Sequence, residues 1–84
     1  MVLHRIGAEV ADPPGPLRGV RLTPRELEAL LWAARGKSVW ETAQVLGLSE
    51  RTVKFHLQRA CAKLNAQNKT HAVARVLARG LIQP

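Results

Sequence analysis

The stretch "TVKFHLQR" at 52–59 places an ammonium at Lys54, a planar apolar ring at Phe55 and a primary amide at Gln58. Each type has a use at a base edge. Lysine donates to the acceptors of guanine, glutamine bonds adenine, and an apolar ring touches the methyl group of thymine. If the segment is helical, these spacings gather the three side chains on one side of it. Arg51, Thr52 and Arg59 lie on the same stretch, with Lys37, Ser38, Ser49, Lys63 and Lys69 before and after it. Cations and hydroxyls of this kind bond phosphate oxygens, which positions a protein on a duplex without reading its sequence. The same residues also populate any solvated helix face, so the pattern gains weight only from the elements around it.

Those elements are marked by repeated start and stop signals. "TPRE" begins a first helix, with Thr23 as cap, Pro24 at the first helical position and Glu26 reaching back to the cap. Leu27, Leu30, Leu31 and Ala34 follow at the spacing of one apolar face, and Gly36 is its left-handed stop. "SVWE" is a second capping box that restarts the chain at Ser38 and predicts a helix over 39–46, ended by Gly47. Ser49 caps a third helix whose inward stripe is Val53, Leu57, Ala60 or Cys61, and Leu64, reaching about Asn65. A fourth begins near Asn68 or Lys69, buries Val73, Val76 and Leu77, and stops at Gly80. Leu81 and Ile82 then fold back over the last turn. Two short helices joined by a glycine-containing turn make a helix-turn-helix, in which small Ala43 permits the crossing and Leu48 and Val53 hold the third helix on the core.

The predicted fold is therefore all-α, a four-helix helix-turn-helix bundle over residues 22–84. Residues 1–21, with "PPGP" at 13–16, read as a flexible lead-in or interdomain linker. At 84 residues the chain builds one domain with a modest core. Thirteen Lys and Arg against six Asp and Glu leave +7, and residues 49–84 hold seven of the cations with one acid. Such a field attracts polyanions. The longest uncharged internal run, 42–49, has eight residues, too few for a membrane span. The glycine stops also break up the single long amphipathic helix that a membrane-surface peptide needs.

No catalytic constellation stands out. His56 and His71 are isolated, and lone Cys61 reads as a reduced, packed thiol with neither a disulfide partner nor a metal-ligand neighbour. Neither a metal nor a cofactor is expected, nor an enzyme. Trp40 has three uses open to it, as a core plug, an interface residue or a phosphate contact through its indole N–H, and its size favours the core. Trp32 belongs at the core edge or faces a missing neighbour.

Residues 22–82 resemble the LuxR-type helix-turn-helix domain of bacterial transcription regulators. The resemblance is carried by "LTPRE" at 22, "GKS" at 36, "ETAQVLGLSERTVKFHL" at 41, "KLNAQNKTHAVA" at 63 and "GLI" at 80. It implies a cytoplasmic, double-stranded-DNA-binding module whose third helix reads bases through Lys54, Phe55 and Gln58. It also implies a dimer contact on the fourth helix, for which Ala72, Val76 and Arg79 are the candidates here; their small apolar area points to a weak homodimer. The wording around Trp40 and "NAQNKTHAVA" is most like the quorum-sensing branch, where a separate N-terminal domain binds acyl-homoserine lactones. A small-molecule signal would act only through such a domain. The chain then reads as a fragment of a longer regulator, with a short stand-alone regulator as the alternative. RNA polymerase is a second partner to weigh, because a protein-interaction module like the terminal helix-turn-helix of sigma factors would use similar surfaces.

Overall fold

The computed structural model describes residues 19–83, which form four helices: α1 (Pro24–Ala34), α2 (Val39–Leu46), α3 (Glu50–Lys63) and α4 (Lys69–Ala78). The expectation of a flexible segment over 1–21 falls mostly on residues outside the described ones. Within them, Val20 packs against the core and the Arg21 carbonyl accepts from Lys63 Nζ at 3.0 Å, so the packed domain reaches upstream of Leu22.

Each helix starts on a capping side chain that the sequence names. Thr23, Ser38, Ser49 and Asn68 are all extended, and their side-chain oxygens accept from the amides of Glu26, Glu41, Thr52 and His71 at 2.9–3.1 Å. Both predicted capping boxes close, through Glu26 on the Thr23 amide at 2.9 Å and Glu41 on the Ser38 amide at 2.8 Å. These bonds satisfy donors that a helix start otherwise leaves open.

The helix ends share one geometry. Past each last turn an amide reaches back five residues, as in Leu48 to Ala43 at 3.0 Å and Ala66 to Cys61 at 2.9 Å. This bond needs a left-handed residue just before the donor. Gly47 supplies it between α2 and α3 with φ 68°, and Asn65 supplies it after α3 with φ 54°. Asparagine tolerates that region better than other side chains, which is why α3 stops at Lys63, short of the predicted end.

α3 packs against α1, α2 and α4. Its buried stripe is Val53, Leu57, Ala60 and Leu64; Ala60 takes the place left open between it and Cys61, which is partly buried. Leu30, Ala29, Ala43 and Ile82 complete the core with α4. The phase of α4 differs in part from the expected one: Val76 is fully buried as expected, but Val73 is only partly so, Leu77 faces outward, and Ala72 is fully buried instead. Six of the ten residues in α4 are Ala, Val or Leu and encircle it, so apolar spacing alone does not select the inward face. Trp40 is 57% exposed and is not a core plug, because α2 turns its Thr42 and Ala43 side inward. Ile82 folds back over the last turn as expected, whereas Leu81 remains half exposed.

Candidate nucleic-acid interface

The turn Gly47, Leu48, Ser49 separates α2 from α3, and the left-handed Gly47 sets the change of direction. With Val53 and Leu57 locked inside, the helical period drives Arg51, Lys54, Phe55, Gln58 and Arg59 out into solvent. The three base-reading candidates therefore share one outward surface of α3. Phe55 is 53% exposed, and its ring is flanked by the His56 ring, edge-on at 5.7 Å, and by the Arg59 guanidinium at 5.8 Å.

Lys54 and Gln58 also line an open groove of about 540 Å³ between α3 and the turn into α4, and Lys69 stands on the far side of it. The apolar lining of the groove comes from Val39, Leu57, Ala62 and Ala66, beside the half-buried Cys61. Burial pushes the Cys61 thiol above its ordinary value, so it is protonated at neutral pH and a poor nucleophile.

The phosphate candidates divide into groups. The side chains of Lys37, Arg51 and Lys69 are exposed and make no hydrogen bond or ion pair among the described residues, although the Lys37 charge contributes to lowering the Glu41 pKa. Ser49 and Thr52 bond each other at 2.9 Å at the start of α3, where Glu50 stands in the first turn and no capping box is formed. At the start of α2, by contrast, Glu41 already occupies the Ser38 amide, and bonds from the Ser38 amide and hydroxyl hold the Glu41 carboxyl below its ordinary value. Each of the two helix starts therefore carries one glutamate in its first turn, and only the one at α2 is bonded to the cap amide.

Lys63 is not available to phosphate. Its ammonium lies 2.8 Å from the carboxylate of Glu26, which is 3% exposed, and 3.0 Å from the Arg21 carbonyl. Burial by itself raises the Glu26 pKa; the hydrogen bonds from Lys63 and the Thr23 amide, with the charges of Lys63 and Arg59, outweigh it and hold the carboxyl ionised. Sequence alone gave no sign of this pair, because its partners are 37 residues apart.

The dimer candidates also need correction. Ala72 and Val76 are 0% exposed and belong to the core, which leaves only Arg79 of the three partly at the surface. The outward face of α4 and its end consists instead of Thr70, Ala74, Leu77, Ala78 and Leu81. Leu77 and Leu81, one turn apart and 38% and 49% exposed, were the available signal.

Among the described residues no group of three or more His, Cys, Asp or Glu is placed to hold a metal ion, and no helix is long and apolar enough to cross a membrane. Comparison with known proteins agrees with this geometry. Residues 20–76 match the GerE family, described as bacterial regulatory proteins, luxR family. The chain is 57% identical over 70 residues to the HTH-type quorum sensing-dependent transcriptional regulator RpaR of Rhodopseudomonas palustris, covering 83% of this chain and 29% of that protein. It is 48% identical over 61 residues to the transcriptional activator protein LuxR of Aliivibrio fischeri, covering 73% of this chain and 24% of LuxR. The crystal structure of Escherichia coli SdiA superposes with a TM-score of 0.74 at 38% identity, over 98% of this chain and 33% of SdiA. All three relatives are thus much longer than the stretch they share with it. Four capped helices with a basic readout surface, and a match over most of their length, place this chain in the luxR family of bacterial regulatory proteins as a helix-turn-helix DNA-binding domain, not an enzyme.

Proposed function

We propose that the chain reads promoter DNA in a sequence-specific way through Lys54, Phe55 and Gln58, inside a transcription regulator of quorum-sensing type that works in the cytoplasm. The observation that carries this reading is Phe55, an aromatic ring half exposed on the same outward surface as Lys54 and Gln58, with the His56 ring and the Arg59 guanidinium beside it, on a helix whose opposite side is the core. Lys37, Ser49, Arg51, Thr52 and Lys69 are the phosphate contacts, with Ser38 a weaker one behind Glu41. Two copies bind as a weak homodimer, using the outward face of α4 around Leu77 and Leu81, and set two α3 helices about 34 Å apart on an inverted repeat. The quorum-sensing assignment rests on the names of the relatives, and a small-molecule signal would enter through a separate sensor domain.

A second surface favours a further partner. Trp40 and Val45, 57% and 52% exposed, border the outward arc of α2 with Glu41 and Gln44 between them, and such an apolar pair suits contact with RNA polymerase once the domain sits on DNA. Selection of duplexes from a random pool by this chain, followed by footprinting at two salt concentrations, tests the main reading. A palindromic motif with steep salt dependence is expected. An unselective pool would refute sequence-specific reading, and polymerase binding that survives loss of Lys54 and Gln58 would make α2 the principal functional surface.

A further inference from the structure

Arg59 has the composition of a phosphate contact, yet its guanidinium lies against the face of Phe55, with Cζ 5.8 Å from the ring centroid. The two residues are four apart on α3, where side chains of successive turns meet. The His56 ring also lies near, with its centroid 5.7 Å away and an interplanar angle of 64°. The Phe55 ring thus has two neighbours although 53% of the residue is open to solvent.

We infer that Arg59 is a positioning residue for Phe55, fixing the ring plane before DNA arrives, and that discrimination at the base pair facing Phe55 depends on the side chain at 59. The inference rests on the proposed DNA-reading function and deepens it. Arginine matters here for its shape as well as its charge, because a planar guanidinium stacks on an aromatic face and a compact, strongly hydrated ammonium does so less well. Lysine at 59 would keep any phosphate attraction and lose much of the hold on the ring.

That difference gives the test. Duplex selection is run with the wild-type chain, Arg59→Lys, Phe55→Ala and the double variant, each checked for folding by its thermal transition. Arg59→Lys is expected to keep the salt slope while its preference at one base-pair position falls about two- to fivefold, the change that an exposed cation–π contact supports. In the Phe55→Ala background the same exchange should change nothing further. If the wild type selects a motif and Arg59→Lys retains its preference at every position, the positioning role is wrong and DNA reading stands. If Arg59→Lys lowers affinity for all duplexes equally, Arg59 is a phosphate contact only, and the inference fails. A wild type that selects nothing overturns both readings.

Discussion

Replacing Lys54 by alanine separates reading from folding. Lys54 is exposed on α3, and among the described residues it has no hydrogen bond, ion pair or ring contact that would be lost on truncation. The helix also gains a residue of high intrinsic propensity, so folding stability should stay within about 0.5 kcal/mol of wild type. Binding should respond much more. A good bond to a base edge contributes about 1–3 kcal/mol of discrimination, which corresponds to a fall in affinity of roughly 5- to 150-fold for the selected duplex. Fluorescence anisotropy with that duplex and with a scrambled one, each across a salt series, distinguishes the mechanisms. A base contact lowers affinity for the selected duplex well beyond any loss on the scrambled one. A phosphate contact lowers both alike and makes the logarithmic salt slope shallower by about 0.9. Equal losses on the two duplexes, or no loss on either, would refute the assignment of Lys54 to base reading.

Other consequences follow from burial and backbone geometry. Ala72→Glu places a carboxylate where there is no solvent and should abolish cooperative unfolding by circular dichroism, whereas Leu77→Glu should remain folded while sedimentation on DNA shows one copy per duplex instead of two. A folded Ala72→Glu would show that the α4 packing is wrong. Gly47→Ala should cost about 1 kcal/mol in urea unfolding, because the new Cβ meets nothing within 4 Å and only the left-handed φ of 68° opposes it. A loss above about 3 kcal/mol would mean that the turn is tighter than described. The lowered pKa of Glu26 carries a definite sign: the unfolded chain takes up the proton first, so the stabilisation is complete above the ordinary value of 4.5 and is lost as the pH falls below it toward the folded value. Glu26→Gln should flatten that part of the acid unfolding profile, and an unchanged profile would remove Glu26 as a contributor.

The ends of the helices and the outward surface of α3 were readable in the sequence because each depends on neighbours within a few residues. A cap at Thr23 or Ser38 needs a glutamate three positions on, a stop at Gly47 needs only a free φ, and Val53 and Leu57 fix by periodicity that Lys54 and Gln58 point away. Asn65 belongs to the same local class, but asparagine signals a left-handed turn more weakly than glycine, and the third helix was expected to run up to it. Tertiary structure alone decided which side of α4 faces inward, since its six apolar side chains out of ten left its phase to the packing against α1 and α3. That choice put Ala72 in the core beside Val76, which was expected there, and removed both as dimer contacts. It also decided the fate of Lys63, whose charge looked free until folding brought it to Glu26, 37 residues away. Local rules specify a helix and the side chains around it, but which cation meets which anion depends on distances that exist only after the chain has packed.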